Sequence, residues 1–63
     1  MADRLFNIGA ALVNQKEYAE AIIKLEQALQ IYNRFLGENH PTTKTAISWL
    51  DLAREQAKQA SSK

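Results

Sequence analysis

The sequence predicts an all-α fold, an antiparallel pair of helices followed by a third helix, and three observations support this prediction. The 63 residues include only two glycines and one proline, whereas the helix-favouring residues Ala, Leu, Gln, Lys and Glu are frequent. Apolar residues recur at spacings of three and four along most of the chain. Two short polar stretches interrupt that periodicity, so we expect helices at about residues 3–15, 18–36 and 41–59.

The first predicted helix is apolar on more than one face. One stripe should meet the next helix, and it consists of Leu5, Ile8, Gly9 and Leu12. A second stripe lies about a third of a turn away and consists of Phe6, Ala10 and Val13. A helix that is apolar nearly all round needs neighbours on more than one side. We therefore expect the second stripe to contact something beyond the hairpin.

The second predicted helix follows the polar stretch 14–17, where the first turn should lie. Its buried line is predicted to consist of Ala21, Leu25, Ala28, Tyr32 and Phe35, with Ile22, Leu29 and Leu36 beside it. The opposite side carries charged and amide side chains, which is typical of an amphipathic helix with one solvated face.

The third predicted helix begins after a glycine and a proline. Gly37 suits the left-handed position just past a helix end, and Pro41 suits the first helical turn. Either Asn39 or His40 then lies at the cap.

On this third helix, Ile47, Leu50 and Ala57 can cover the first two helices. Trp49 and Leu52 instead lie at flanking positions. Two large apolar side chains at the edge of a small domain indicate a contact beyond the monomer.

A chain of 63 residues has room for one small domain, in the size range where burial is poor and stability marginal. We expect residues 1–60 to form that unit and residues 61–63 to be a frayed tail. The absence of cysteine excludes a disulfide and suits a reducing, cytoplasmic compartment. Additional stability should therefore come from good helix packing, or from association with copies or neighbouring repeats.

Composition also argues against several classes of function. The formal charge is +1 with basic residues scattered along the chain, so no nucleic-acid interface is expected. No apolar run approaches the roughly 20 residues that cross a bilayer, and the first four residues do not resemble a signal peptide. His40 is the one soft metal ligand, no nucleophile accompanies a base, and no glycine-rich phosphate loop occurs. We expect no enzyme activity, no metal and no cofactor.

The spacing Leu5-x-x-Ile8-Gly9-x-x-Leu12, followed by Ala21-x-x-x-Leu25-x-x-Ala28, resembles a tetratricopeptide repeat. This resemblance implies two antiparallel helices that approach closely at their small residues. In such repeats glycine is common where this chain has Lys16, at the left-handed position after the first helix.

The segment Leu36-Gly37-x-x-His40-Pro41 is similar to the connector of kinesin light chain-type repeats. Moving 42 positions on from Leu5 and Ile8 gives Ile47 and Leu50, so the third helix resembles the first helix of a following repeat. It has Asp51 and Arg54 where the first helix has Gly9 and Leu12, which favours a solvent-facing capping helix. We interpret the chain as one repeat plus a capping helix, either a fragment of a natural array or a minimal designed repeat.

The resemblance also implies a groove for peptides or partner domains, lined by the first helix of each repeat. Its positions here are Asp3, Phe6, Ala10, Val13 and Asn14, and Thr45, Ser48, Leu52, Glu55 and Gln56. Phe6 and Ala10 replace the lysine and asparagine with which some members bind a carboxylate, so an apolar or amphipathic protein ligand is expected.

The candidate interface consists of Phe6, Ala10, Val13, Asn14, Trp49 and Leu52. The same residues could instead contact a second copy or an adjacent repeat. In that alternative the chain is a self-assembling homodimer or larger assembly, with exchange of the third helix between chains as one way to form it.

Overall fold

The computed structural model describes residues 2–61, which form the helices α1 (Ala2–Asn14), α2 (Tyr18–Phe35) and α3 (Pro41–Ser61). The all-α prediction is confirmed, and each predicted helix end lies within two residues of the observed one. Ser61 ends α3, and residues 62–63 of the predicted frayed tail lie outside the described residues.

The turn between α1 and α2 is a Schellman motif in which Lys16 takes the left-handed conformation, with φ 65°. The Glu17 N–H donates to the Leu12 carbonyl at 2.8 Å, and the Lys16 N–H donates to the Val13 carbonyl at 3.0 Å. These two bonds use carbonyl groups that the end of a helix otherwise leaves without partners. The turn therefore keeps the geometry that glycine prefers, although a lysine occupies it.

The connection from α2 to α3 contains the second left-handed residue, Gly37, with φ 88°. At the start of α3, the imidazole Nδ1 of His40 accepts a hydrogen bond from the Thr42 backbone N–H at 3.1 Å. His40 is thus the capping residue, and Pro41 is the first residue of the helix. The cap needs a free lone pair on Nδ1, so this contact uses the neutral imidazole.

Helices α1 and α2 pack tightly at Gly9, which is buried. A Cβ atom at Gly9 would lie 2.7 Å from Cγ and 2.8 Å from Cδ2 of Leu25, a side chain with no solvent exposure. Ala21 and Ala28 lie one helical turn to either side of Leu25 and are also fully buried. The prediction that the two helices pack tightly at Gly9 is confirmed, but the residue that Gly9 meets is Leu25, which lies between the two alanines.

Helix α3 packs mainly on α2, through Ala46, Leu50 and Ala53, which are 0%, 5% and 0% exposed. The expectation that Ile47 covers the first two helices is wrong, because this side chain is 37% exposed. Outside that core, Arg54 Nη2 and Glu26 Oε2 form an ion pair at 2.8 Å between α3 and α2. Both side chains are about half exposed, so the pair contributes little to stability.

At the end of the hairpin opposite the α1–α2 turn, Tyr32 joins α2 to α1, because its hydroxyl donates to Asp3 Oδ1 at 2.8 Å. The side chain is buried. Burial, then the hydrogen bond to Asp3 and the negative charge of that carboxylate, raise the pKa of Tyr32 to about 12 from an ordinary value of 10.0. Folding therefore favours the neutral phenol.

The raised pKa of Tyr32 predicts a loss of stability in alkali. The stabilisation that the neutral Tyr32 side chain contributes to the folded state is fully present below pH 10, falls as the pH rises through about 12, and is absent above that value. The difference should amount to about 2–3 kcal/mol in the free energy of unfolding, measured by urea titration at a series of pH values.

Tyr32→Phe should be less stable than the unchanged chain at pH 8 and should lose less stability between pH 10 and 12. Tyr18→Phe is the matched control, because Tyr18 is a half-buried tyrosine on the same helix. The Tyr18→Phe variant should still lose stability steeply between pH 10 and 12. Equal slopes for all three proteins would contradict the assignment of this effect to Tyr32.

Two predicted positions on the hairpin differ from the structure. Phe35 was expected on the buried line of α2 but is 76% exposed, and Ile8 was expected to meet the next helix but is 42% exposed. Phe35 is exposed because Tyr32, about one turn earlier on α2, already contacts Asp3 near the start of α1. The turn of α2 that carries Phe35 therefore extends past the described part of α1.

Candidate functional site

The site predicted from the sequence lies where α1 and α3 run side by side, and aromatic rings join the two helices there. The Phe6 ring meets the Trp49 ring edge to face, with centroids 6.2 Å apart and an interplanar angle of 84°. On its other side Phe6 meets Tyr32 in a similar arrangement at 6.5 Å. Such edge-to-face pairs stabilise the contact beyond the area that they bury. Phe6 thus links all three helices.

Trp49 is therefore only partly available to a partner. Its side chain is half-buried, packs beside the core and contacts Phe6. Much of the ring is used within the domain, and a contact of Trp49 beyond the monomer stays a prediction. The exposed remainder still forms part of the surface between α1 and α3.

Val13 is 8% exposed and lies in the core with Leu25, Leu50 and Ala53. The structure thus removes Val13 from the set of candidate partner-binding residues, since reaching it would require α1 and α3 to separate. Periodicity placed Val13 and Phe6 on the same stripe correctly. It did not show that α3 would cover that stripe.

The remaining candidates lie along one face of each helix. We call this the α1/α3 surface, and it consists of Asp3, Phe6, Ala10 and Asn14 together with Thr45, Trp49, Leu52 and Gln56. Successive members are three or four residues apart, so they share one side of their helix. Phe6, Ala10, Trp49 and Gln56 are half-buried, whereas Asp3, Asn14, Thr45 and Leu52 are exposed.

Leu52 is the most accessible large apolar side chain of this surface, at 42% exposure. Ser48 and Glu55, the other groove positions on α3, are exposed at its edge. The surface therefore combines the aromatic rings of Phe6 and Trp49, the small residue Ala10 and the apolar side chain of Leu52. This composition can hold an apolar side chain but contains no reactive group poised for catalysis.

A second, open depression lies where the first turn of α2 approaches the end of α3. Its lining consists of Lys16, Glu17, Tyr18, Ala19, Ala57 and Ala60. Sequence reasoning missed this depression. The available signal was the pair of small residues near the end of α3, which leaves space beside Tyr18.

His40, Tyr32 and Asp3 have side chains that could act in catalysis or bind a metal ion, but each has a structural role. Among residues 2–61 no cluster of three or more His, Cys, Asp or Glu side chains could hold a metal ion. His40 caps α3, and the Tyr32–Asp3 pair joins α2 to α1. In that same described part of the chain, none of the helices has the length and apolar character needed to span a bilayer.

Comparison with known protein families identifies the family of the chain. A family model described as Tetratricopeptide repeat matches residues 2–62, which include all three helices. No curated protein and no solved structure matches the chain. The family match therefore extends over the hairpin and α3 together, in agreement with the 42-residue relation between α1 and α3.

Proposed function

The chain belongs to the tetratricopeptide repeat family, and from this premise we propose that its α1/α3 surface binds an apolar or amphipathic peptide or helix of a protein partner. Repeats of this family are generally non-catalytic scaffold modules for protein interaction. The observation that supports this site is Leu52, which is 42% exposed on the same surface as the Phe6–Trp49 pair.

A bound segment gains most by placing an apolar side chain between Ala10 and Leu52. Ala10 leaves room beside the aromatic rings, and Leu52 can cover the inserted group from α3. Burying the exposed remainder of a leucine and an equal area of ligand contributes about 1–2 kcal/mol. That free energy corresponds to about a fivefold to thirtyfold difference in Kd.

This proposal is tested by Leu52→Ser, with Ile47→Ser as the matched control. The two side chains are similarly exposed on α3, at 42% and 37%, but they lie five residues apart and so point about 140° away from each other. A synthetic helical peptide with a leucine stripe serves as the probe, and Trp49, the one tryptophan of the chain, reports binding by fluorescence.

Leu52→Ser should weaken binding of this probe about tenfold, whereas Ile47→Ser should leave it unchanged. Phe6→Ala and Val13→Ala are less suitable tests, because both side chains pack against the core. Equal losses in the two serine variants would reject the α1/α3 surface as the binding site.

A second candidate function is self-association through the outer face of α1, and one observation favours it. Ile8 and Leu50 occupy equivalent positions in the 42-residue repeat, yet Leu50 is 5% exposed against α2 while Ile8 is 42% exposed. Ala11 and Ala53 differ in the same way, since Ala11 is exposed and Ala53 is fully buried. We propose that a second copy of the chain covers this face.

Sedimentation equilibrium from low to high micromolar concentration tests the second candidate. The unchanged chain should form dimers, and Ile8→Lys should remain monomeric because it would bury an unpaired charge. Ile23→Lys is the matched control, since Ile23 is 47% exposed on α2, and it should dimerise normally. If the unchanged chain stays monomeric at every concentration, the self-association hypothesis is rejected, including exchange of α3 between chains.

We also propose that the repeat belongs to the kinesin light chain-type branch of the family. The connector supports this assignment, because His40 caps α3 and Pro41 begins it, so both residues have a structural reason to occur together. A cytoplasmic location stays a prediction from the absence of cysteine.

A further inference from the structure

The buried positions of α2 and α3 follow a single helical periodicity. On α2 the buried residues are Ala21, Leu25, Ala28 and Tyr32. On α3 they are Thr43, Ala46, Leu50 and Ala53. Tyr32 and Thr43 are eleven residues apart in the sequence, which is close to three full turns of an α-helix. A helix that continued through the connector, residues 36–40, would therefore carry both buried sets on one face.

The pairing of α2 with α3 is symmetric about the connector. The chain reverses its direction there, so the two helices are antiparallel. Glu26 and Arg54, which form the ion pair at 2.8 Å, each lie 14 residues from His40. Two copies with continuous helices can therefore pair antiparallel, with His40 of each copy at the midpoint. In that arrangement α3 of one copy lies on α2 of the other, in the register that the single chain shows.

The connector itself supplies two residues to this shared face. Leu36 and Asn39 follow Tyr32 at spacings of four and three, and Thr43 follows after four more. Leu36 is 43% exposed in the single chain, and Asn39 is exposed as well. Pairing of two continuous helices would cover both residues with the second copy. Burial of Leu36 in each chain would favour that pairing.

Two residues hold the chain in its reversed form. Gly37 has φ 88°, and its N–H donates to the Tyr32 carbonyl at 3.1 Å. A Cβ atom at Gly37 would meet nothing within 4 Å, so this glycine is needed for its backbone conformation and not for space. Pro41 begins α3, but inside a continuous helix its ring would clash with the Gly37 carbonyl. Both residue types also disfavour helix interiors.

We propose that residues 36–40 are a hinge between two forms of this chain. In the closed form, described above, α3 packs on α2 of its own chain. In the exchanged form, residues 18–61 of each copy are one helix, and α3 packs on α2 of a second copy. Gly37 and Pro41 hold the unchanged chain in the closed form. This inference depends neither on binding at the α1/α3 surface nor on association through Ile8.

The test is Gly37→Ala with Pro41→Ala in a chain that also carries Ile8→Lys, which prevents association through the outer face of α1. By sedimentation equilibrium at high micromolar concentration, Ile8→Lys alone should be monomeric and the triple variant mainly dimeric. The association constant should rise at least about a thousandfold, because proline disfavours a helix by about a hundredfold in each of the two chains. Alanine at position 37 also disfavours the left-handed conformation of the closed form.

Nuclear magnetic resonance and small-angle X-ray scattering identify the exchanged form. The Cα chemical shifts of residues 36–40 should become helical. The particle should be at least about 66 Å long, because 44 helical residues rise 1.5 Å each, whereas the longest dimension of the single chain is 39 Å. The matched control is Asn7→Ala with Ser48→Ala in the Ile8→Lys chain. It increases helix propensity at two exposed positions outside the connector and should stay monomeric.

Pro41→Ala alone, again with Ile8→Lys, is the second variant, because Gly37 can still reverse the chain there. Its association constant should lie between those of Ile8→Lys and the triple variant. The inference is overturned if the triple variant stays monomeric, loses helicity, or dimerises while residues 36–40 keep non-helical shifts. Equal dimerisation of the Asn7 and Ser48 control would also overturn it, since the effect would then not come from the connector.

Discussion

Gly9→Leu is expected to abolish folding of the helical hairpin. Even a single Cβ at Gly9 would lie 2.7 Å from Leu25 Cγ, closer than carbon atoms approach without displacement. Leu25 cannot move aside, because its side chain is fully buried between α1, α2 and α3. A leucine side chain at Gly9 requires the two helices to separate, and separation would expose Ala21, Leu25 and Ala28 together. The loss should exceed the few kcal/mol that stabilise a domain of this size.

Circular dichroism at 25 °C and thermal unfolding measure this effect. Gly9→Ala should fold with reduced stability, because overpacking costs about 1–3 kcal/mol while replacing a helical glycine regains up to about 1 kcal/mol. Asn7→Leu is the matched control, since Asn7 is exposed on the same helix and should unfold near the temperature of the unchanged chain. A folded Gly9→Leu variant of normal stability would mean that the chain forms a generic three-helix bundle.

The contact at Gly9 shows what could be predicted from the sequence. Gly9 on α1, and Ala21 and Ala28 one turn to either side of Leu25 on α2, predict a close contact between the two helices, and in the structure Gly9 makes room for Leu25. The left-handed conformation at Gly37 was also predictable, because this glycine follows the last residue of a helical pattern. These two features depend on local sequence, so one chain is enough to identify them, whereas the left-handed conformation at Lys16 was implied only by the resemblance to the repeat family.

The environment of each apolar side chain was harder to predict, as Val13 and Ile8 illustrate. Both lie on α1 within apolar stripes, but Val13 is covered by α3 and Ile8 is not. Periodicity assigns a residue to a face of its helix, whereas the crossing of three helices decides which faces are covered. Ile47 and Phe35 were placed in the core for the same reason, and both are exposed.

Buried polar chemistry was also missed in part. Thr43 is fully buried in the first turns of α3, and its hydroxyl oxygen has no hydrogen-bond partner among the described residues. No sequence signal separates this threonine from its exposed neighbour Thr45. Of the candidate interface residues, Ala10, Asn14 and Leu52 remain at least partly accessible, and their role in binding stays a prediction.

Leu25→Ala is expected to cost about 2–5 kcal/mol of the free energy of unfolding. Leu25 is one of the two largest side chains with no solvent exposure, and it packs in the cluster that contains Val13, Leu50 and Ala53. A domain of 63 residues has about 3–9 kcal/mol in total, so a substantial fraction of the variant should be unfolded at 25 °C. Urea titration followed by circular dichroism measures the change. Leu52→Ala, at an exposed leucine, is the control and should cost less than about 0.5 kcal/mol.

Leu25→Ala should also reverse the effect of Gly9→Ala. The atoms that a Cβ at Gly9 would meet first are Cγ and Cδ2 of Leu25, and both are absent from alanine. In the Leu25→Ala background, Gly9→Ala then adds helix propensity without a clash and should stabilise the chain by up to about 1 kcal/mol. The double-mutant cycle should give a coupling free energy of about 1–3 kcal/mol between the two positions. Additive effects would show that the glycine is required for some reason other than its contact with Leu25.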